Sequence, residues 1–408
     1  MVIVGCGFAG LTALNRLART GMSVTVVDRN SYSTFQPLLY QVATAGLTSA
    51  DVAYPTWTAA RHTRTMFRKG EVIRVDAEAR QVLLADGTVL DYDYLVMATG
   101  VSAAFFGVTG AAQYSFSLYT RHDAIQLRNQ LMAELEKRSV PGHDRDLGIT
   151  IIGGGATGVE LAGTLAELRN IALPASFPRL DPKRICVTLI ELGPALLAPF
   201  HQALRDYARR ELLARGVDVR LGTKIERVER DTVVLTDGST LASDLTVWAA
   251  GIAGPEWIGK LGLPTGRGGR IVTGPDLRVS GHDRIFATGD IGVIDGSPLP
   301  QLAQPAIQQG RHAADQIKRM EAGLPTRSFS YKDKGIMATI GHRSAVVDLP
   351  SHIRIRGTLA WLAWLGLHLF YLLGNRNRIV ALVNLSWRYL TFSRGGGVII
   401  GDDEDAPG

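Results

Sequence analysis

The sequence contains only two cysteines in 408 residues, Cys6 and Cys186, and they are far apart in the chain. An enzyme that relays electrons through a thiol pair needs two neighbouring cysteines, typically as Cys-x-x-Cys, so this class of redox enzyme is excluded. Two scattered cysteines also fit a protein that faces a reducing cytosol better than a secreted one.

The sequence also lacks an apolar run of the roughly 20 residues needed to span a bilayer comfortably. Its C-terminal apolar run, over 357–373, is shorter and is broken by His368. No second ligand stands at metal spacing from His368, so we expect a packed or interfacial histidine rather than a metal site. A second helical stretch covers 379–390. Arginines and tryptophans accompany both stretches: Arg354, Arg356, Trp361, Trp364, Arg376, Arg378, Trp387 and Arg388. This composition favours helices that lie in the lipid headgroup layer, and the alternatives are a buried domain-closing helix or a homodimer interface.

The net charge of +6 predicts an anionic partner surface. The basic residues are not gathered into a stripe with stacking aromatics, so nucleic acid is not expected and an anionic lipid surface is favoured.

No secretory signal is expected, because 1–4 leads directly into a glycine turn without a charged start. The acidic tail over 401–405 is predicted to be disordered and solvated.

The chain contains the same nucleotide-binding pattern twice. Residues 2–10 and 149–158 each form an apolar strand that leads into Gly-x-Gly-x-x-Gly and then a helix. The first glycine allows a tight turn, the second lets a pyrophosphate approach, and the third lets the helix pack on the sheet. Two such fingerprints in one chain predict two bound dinucleotides.

An acidic residue follows each fingerprint at the end of the next strand. Asp28 closes 24–27 at the usual distance for gripping a ribose hydroxyl. Glu191 closes 185–190, where Cys186 is expected to be buried, and the longer gap reflects a Pro-bearing connection over 169–184.

Both halves continue with the same plan. An Asp-Gly turn between alternating apolar residues occurs at 85–88 and again at 236–239, and each predicts a β-hairpin. A final strand then ends in Ala-Thr-Gly at 98–100 and in Ala-Ala-Gly at 249–251, where small residues let the backbone pass close to a cofactor.

This plan resembles the two-dinucleotide-binding-domain flavoproteins, in which the first domain holds FAD and an inserted domain holds NAD(P)H. The run 284–291 is similar to the second FAD motif of that superfamily, in which the aspartate, here Asp290, bonds the ribityl chain. The resemblance implies that the chain returns to a discontinuous FAD domain after Gly251.

The helix predicted after Asp290 carries Gln304 and Gln308 on one face, with Pro305 expected at its first position. Their neutral amides suit the carbonyl oxygens of a bound ligand, and the alternative is a solvated, glutamine-rich helix start. In the superfamily such a helix points its N-terminus at the flavin pyrimidine ring.

Four motifs, at 35–41, 154–163, 303–309 and 331–341, are similar to those of type II NADH dehydrogenases, the single-subunit NADH:quinone oxidoreductases, and the match extends from Val2 to about Arg394. The resemblance implies catalytic roles for Glu160, near the nicotinamide–flavin junction, for Lys334, near the flavin on the quinone side, and for Gln304 and Gln308 beside the quinone. Without it, Glu160 is an acid in the first turn of a helix and Lys334 an exposed loop lysine. The implied FAD-binding residues are Gly5, Gly7, Phe8, Ala9, Gly10, Asp28, Val72, Thr99, Gly100, Asp290, Ala303, Gln304 and Lys334. The implied NADH-binding residues are Gly153, Gly155, Gly158, Glu191 and Gly251.

The expected fold is α/β, with two Rossmann-like domains of the glutathione-reductase-like FAD/NAD(P) type and a C-terminal membrane-associating helical segment. The expected domains are FAD-binding at 1–110 and 251–325, NADH-binding at 111–250, and membrane-associating at 326–408. The expected function is FAD-dependent, non-proton-pumping transfer of electrons from NADH to a membrane quinone, in a peripheral protein on the cytoplasmic face of the cell membrane. The alternatives are reduction of a soluble protein acceptor and a flavin-bearing redox sensor.

Overall fold

A five-stranded parallel sheet forms the centre of the first half of the fold. Its strand order is Ile285–Ala287, Leu95–Met97, Val2–Val4, Val24–Asp28 and Thr65–Lys69. Val2, Ile3 and Val4 in the central strand are almost wholly buried. A strand in a parallel sheet that is covered on both faces is apolar at successive positions, and Val-Ile-Val meets that requirement.

A second five-stranded parallel sheet repeats this design. Its strand order is Phe116–Ser117, Leu245–Trp248, Leu147–Ile152, Ile185–Ile190 and Asp218–Arg220. The strand that enters the glycine turn is again central, and the strand that carries the acidic residue is again its neighbour. The expected burial of Cys186 is wrong, because its side chain is exposed within the Ile185–Ile190 strand.

Each predicted hairpin is part of a three-stranded antiparallel sheet. The first consists of Val72–Asp76, Gln81–Leu84 and Val89–Asp91, and the second of Ile225–Glu229, Thr232–Leu235 and Thr240–Ala242. In the two turns, a carboxylate oxygen of Asp86 accepts from the Thr88 N–H at 3.0 Å, and one of Asp237 accepts from the Ser239 N–H at 2.9 Å. Both predicted hairpins are therefore confirmed.

The computed structural model describes residues 1–60, 64–142 and 145–391, with the side chains of 387–391 outside the description. Its contacts group into two units. The first unit contains Met1–Thr34, Tyr54–Ser102 and Ile252–Lys334, and the second contains Phe35–Ala53, Ala103–Gly251 and the chain from Gly335 onward. The predicted acidic tail at 401–405 and the side chains of Trp387 and Arg388 lie outside the described residues. The assignment of ligands to the predicted domains stays a prediction.

The helices of the first unit are Phe8–Leu17, Thr56–Ala59 and Ala303–Glu321. Those of the second unit are Leu39–Ala43, Ala111–Tyr114, Arg121–Ser139, Ala156–Glu167, Leu173–Ser176, Gln202–Ala214, Thr358–Tyr371 and Asn375–Thr391. The second unit also contains an antiparallel sheet of Ile336–Gly341, Ser344–Asp348 and Arg354–Arg356. Among the described residues, no helix combines the length and the apolar character needed to cross a bilayer.

Candidate functional site

The first and third glycines of each fingerprint occupy positions where a side chain cannot be accommodated. Gly5 has φ +98°, and a Cβ there would lie 2.3 Å from the Ala98 carbonyl oxygen. A Cβ on Gly10 would lie 1.9 Å from the Gly5 carbonyl oxygen. The second copy repeats this geometry, since Gly153 has φ +116° and a Cβ on Gly158 would lie 1.9 Å from the Gly153 carbonyl oxygen.

The middle glycines face open space instead. A Cβ on Gly7 or on Gly155 would meet no atom of the described residues within 4 Å. Each glycine is the N-cap of the helix that follows it, Phe8–Leu17 or Ala156–Glu167, and in the described chain neither N-terminus is capped by a side chain. A helix N-terminus with space before it favours a phosphate group, because its first N–H groups and its dipole both attract negative charge. Both turns therefore fit the pyrophosphate of a dinucleotide.

The acidic residues of the two copies make matching contacts. The Asp28 carboxylate accepts from the Cys6 N–H at 2.7 Å and from the Asn30 N–H at 2.8 Å. The Glu191 carboxylate accepts from the Gly154 N–H at 2.5 Å and from the Gly193 N–H at 2.6 Å.

In each copy one carboxylate oxygen thus accepts from the backbone N–H in the middle of the glycine turn. The other accepts from the N–H of the residue two positions after the acidic residue. Burial raises the pKa of Asp28, while the backbone N–H groups act in the opposite direction. These backbone bonds fix each carboxylate at the tip of its strand, where the remaining lone pairs can accept from ribose hydroxyls.

The small-residue turns differ in what surrounds them. Gly100 has φ +68°, and the Thr99 hydroxyl lies 3.4 Å from its carbonyl oxygen. A Cβ on Gly251 would lie 2.3 Å from the Phe106 ring.

Val72 is buried in the apolar core of the first unit with Leu84, so its side chain packs within the protein.

The Asp290 turn is held by two residues that the sequence analysis did not single out. Gln309, which is buried, accepts from the Gly289 N–H at 2.7 Å. The Arg270 guanidinium donates to the Asp290 carbonyl oxygen at 2.7 Å and also to the carbonyl oxygen of Gly292. Burial lowers the pKa of Arg270, and the Asp290 carboxylate acts in the opposite direction. The available sequence signal was the position of Gln309 next to Gln308.

The Ala303–Glu321 helix brings the predicted glutamines together. Pro305 is its third residue rather than its first, because the helix begins at Ala303. Gln304 and Gln308 are both half-buried, and their amides lie 3.5 Å apart. The amide of Gln308 also accepts from the Lys332 N–H at 3.0 Å and donates to the Lys332 carbonyl oxygen at 2.9 Å. Lys334, two residues further on, is exposed.

The placement of Glu160 in a first helical turn is wrong. It is the fifth residue of Ala156–Glu167, and its side chain points into the interior of the second unit. The carboxylate accepts from the Thr339 N–H at 3.2 Å, and the Trp364 indole N–H is nearby without completing a hydrogen bond within the described residues. Burial raises the pKa of Glu160 to about 8, although both N–H groups act in the opposite direction.

His368 is a packed histidine, as the sequence predicts. Its ring stacks on Trp364 with 4.1 Å between centroids and lies edge-on to Phe35 at 6.2 Å. Its Nδ1 is 2.7 Å from the Trp364 carbonyl oxygen, and burial lowers the pKa of the imidazole to about 4. The described part of the chain contains no group of three His, Cys, Asp or Glu side chains suited to a metal ion.

Comparisons with known proteins agree with this geometry. Residues 1–310 match the family model described as pyridine nucleotide-disulphide oxidoreductase. The chain is 35% identical, over 97% of its length and 88% of the relative's, to the type II NADH:quinone oxidoreductase NdhA of Mycobacterium tuberculosis. It is 31% identical, over 85% of its length and 88% of the relative's, to the type II NADH:quinone oxidoreductase of a Staphylococcus aureus strain. The chain belongs to the type II NADH:quinone oxidoreductases.

Solved structures place this type II NADH:quinone oxidoreductase in the expected fold. An NDH2 structure from Plasmodium falciparum in complex with NADH matches it with a TM-score of 0.89 at 20% identity, over 95% of this chain and 97% of that one. A sulfide:quinone oxidoreductase from Aquifex aeolicus matches with a TM-score of 0.76 at 19% identity, over 95% and 94% of the chains. The predicted fold class, with two Rossmann-like units, is confirmed.

Cys6 of this family member is unsuited to a thiol relay. Cys6 lies within the first glycine turn, where burial raises the pKa of its thiol to about 12. Since the thiolate is the reactive form, this thiol is held in its unreactive state at neutral pH. The likeness to a sulfide:quinone oxidoreductase therefore concerns the fold.

Proposed function

We propose that this type II NADH:quinone oxidoreductase holds FAD and transfers electrons from NADH to a membrane quinone. The observation that carries the proposal is the pair of glycine turns with matching geometry, each followed by a carboxylate fixed at the tip of the neighbouring strand. One turn lies in each unit, so the chain offers two dinucleotide sites. Family membership supports the choice of FAD for one and NADH for the other.

FAD is assigned to the first unit, where Gly7 leaves space for its pyrophosphate and Asp28 offers acceptors to its ribose. Asp290 would bond the ribityl chain from a turn that Arg270 and Gln309 hold in place. When bound, FAD would supply the redox chemistry that carries two electrons from NADH to the quinone. The protein's own task is to bind, orient and separate the two substrates.

NADH is assigned to the second unit, with Gly155 before its pyrophosphate and Glu191 at its ribose. Glu160 would stand near the nicotinamide as a buried carboxyl group, and burial raises its pKa to about 8. Gln304, Gln308 and Lys334 are assigned to the quinone side of the flavin.

We expect Gln304→Ala and Gln308→Ala to slow reoxidation of reduced flavin by quinone while leaving reduction by NADH nearly unchanged. Losing one hydrogen bond worth about 1.5 kcal/mol corresponds to roughly a tenfold slower step. Anaerobic stopped-flow spectroscopy of each half-reaction separates the two effects. An equal loss in both half-reactions would mean that the helix shapes the flavin pocket itself.

A peripheral attachment to an anionic membrane is proposed from the surface of the two C-terminal helices. Large apolar side chains on Thr358–Tyr371 and Asn375–Thr391 are exposed, with Leu359 at 72% and Phe370 at 67%. A basic side chain lies beside them, since the Arg378 guanidinium is 5.8 Å from the centre of the Phe370 ring. Apolar side chains next to arginines suit the headgroup layer, and each arginine contributes about 1 kcal/mol near anionic lipid.

Phe370→Ser should weaken binding to anionic liposomes at least about tenfold, because burying an exposed phenylalanine in lipid contributes at least about 1.5 kcal/mol. High salt should weaken binding of the wild type without ending it, since apolar burial is not screened. Liposome flotation at two salt concentrations measures both effects.

The matched control is Phe106→Ser, since Phe106 is 68% exposed and lies outside these helices. Equal flotation of the Phe370 variant and the wild type would reassign the helices to a homodimer interface, which size-exclusion chromatography would then detect.

The cytoplasmic membrane face is proposed from the scattered cysteines, which suit a reducing compartment. Proton pumping is not proposed, because the sequence carries no chain of acidic groups within a membrane segment. Steady-state NADH oxidation with and without a water-soluble quinone tests the function. Quinone-dependent turnover supports it, turnover only with a soluble redox protein would favour the protein-acceptor alternative, and little turnover with either would favour a redox sensor.

A further inference from the structure

The segment 325–334 runs beside the Ala303–Glu321 helix without regular secondary structure of its own. Backbone N–H and C=O groups need partners, and an extended segment outside a sheet must find them elsewhere. In this protein many of the partners are side chains of the helix. This segment ends at Lys334, the lysine assigned to the quinone side of the flavin.

The helix side chains that hold the segment recur every four residues. Gln308 accepts from the Lys332 N–H and donates to the Lys332 carbonyl oxygen. One turn further along, His312 Nε2 lies 2.9 Å from the Arg327 carbonyl oxygen. After another turn, the buried Gln316 accepts from the Arg327 N–H at 2.7 Å. Residues four apart lie on one face of a helix, so the three side chains form a row.

This row binds the segment much as a neighbouring β-strand would. Gln308 supplies one donor and one acceptor to the backbone of Lys332. His312 and Gln316 together supply one donor and one acceptor to the backbone of Arg327. Because the Arg327 carbonyl oxygen can only accept, His312 must carry a proton on Nε2. The ring of Phe329, between the two bonded residues, packs edge-on against His312 with 5.3 Å between centroids. The Phe329 N–H donates to the Pro275 carbonyl oxygen at 2.7 Å, which fixes the middle of the segment from the other side.

Gln304 has a different position. It precedes Gln308 by one turn, and the hydrogen bond between their amides is a weak one at 3.5 Å. The two glutamines therefore look alike in sequence but differ in their hydrogen bonds. Both amide atoms of Gln308 are engaged by the backbone of Lys332, whereas the Gln304 amide makes no bond to the segment among the described residues.

We propose that Gln308 is a positioning residue that fixes the 325–334 segment and thereby places Lys334. It rests on the proposed function for the role of Lys334 beside the flavin. The anchoring part stands on the hydrogen bonds within the first unit.

The test uses the full-length, FAD-loaded protein and the variants Gln308→Ala, Gln308→Glu and Gln304→Ala. Hydrogen–deuterium exchange, followed by mass spectrometry on peptides covering 325–334, reports whether the segment is held. Exchange at Lys332 should rise about tenfold in Gln308→Ala, because the acceptor of its N–H is removed. It should rise less in Gln308→Glu, whose carboxylate still accepts from the Lys332 N–H but cannot donate to the Lys332 carbonyl oxygen, and it should remain near the wild-type rate in Gln304→Ala.

Flavin reoxidation by quinone is measured on the same samples. Gln308→Ala should slow it together with the rise in exchange, and Gln308→Glu should restore part of the rate. Gln304→Ala should slow it without a change in exchange. Slower reoxidation in Gln308→Ala with wild-type exchange would overturn the proposal in favour of direct quinone contact, and raised exchange with wild-type reoxidation would show that the anchor does not serve the reaction. If the wild type fails to reduce quinone, the proposed function fails, while the exchange comparison still decides whether Gln308 is the anchor.

Discussion

Gly7→Ala should abolish retention of FAD while leaving the polypeptide folded. The added methyl group would meet no described protein atom within 4 Å, and the backbone at Gly7, with φ −79° and ψ −160°, is acceptable to alanine. The same methyl group would occupy the space before the helix N-terminus that the pyrophosphate needs. Overpacking costs about 1–3 kcal/mol, and each lost hydrogen bond to a charged group costs about 1.5–3 kcal/mol more. We therefore expect FAD to bind more than about 100-fold more weakly.

Gly155→Ala is the matched variant in the second unit, where the backbone and the open space are equivalent. It should keep the yellow cofactor and lose affinity for NADH by a similar factor. Flavin fluorescence of reconstituted protein measures the first effect, and NADH-dependent flavin reduction measures the second. Gly10→Ala provides the contrast, because the added Cβ would clash with the Gly5 carbonyl oxygen. We expect this variant to unfold rather than to lose one dinucleotide. Loss of FAD from both middle-glycine variants alike would show that the two turns do not hold different dinucleotides.

NADH should be preferred over NADPH by about three orders of magnitude in catalytic efficiency. The Glu191 carboxylate is held by the N–H groups of Gly154 and Gly193, so it cannot easily turn away from a 2′-phosphate. Like charges about 4 Å apart at an effective dielectric near 20 repel by roughly 4 kcal/mol. The arginine on the neighbouring strand, Arg220, donates to Asp218 at 2.8 Å and so is already paired.

Glu191→Gln should remove most of this preference, since the amide keeps the size of the side chain and loses its charge. The matched control is Asp28→Asn in the first unit, which should affect FAD and leave the coenzyme preference unchanged. The measurement is kcat/KM for NADH and NADPH in the wild type and both variants. Equal efficiency of the wild type with both coenzymes would show that Glu191 does not face the ribose.

The glycine turns could be predicted from the sequence because their requirements are local. A positive φ at Gly5 and close contact between Gly5 and Gly10 arise within a few residues of the chain. The carboxylates of Asp28 and Glu191 were found for the same reason, since each ends a strand next to its own glycine turn. Apolar strand patterns and Asp-Gly turns likewise predicted both sheets and both hairpins.

Contacts between distant parts of the chain could not be predicted in this way. Glu160 was expected in a first helical turn, but its environment is made by Thr339 and Trp364, which are far away in sequence. The contact of Gln308 with the Lys332 backbone could not be predicted either, because a backbone partner 24 residues away has no sequence signature. Cys186 was expected to be buried because its strand is apolar, yet that position is exposed.

The most direct test of the account is anaerobic double-mixing stopped-flow spectroscopy on the purified, FAD-loaded protein. NADH is mixed first, and a water-soluble quinone is mixed after the flavin has been reduced. The account predicts that one equivalent of NADH bleaches the yellow absorption and that quinone restores it much faster than buffer alone. A flavin that NADH does not reduce, or a reduced flavin that quinone does not reoxidise, would contradict the assignment of this chain as an NADH:quinone oxidoreductase.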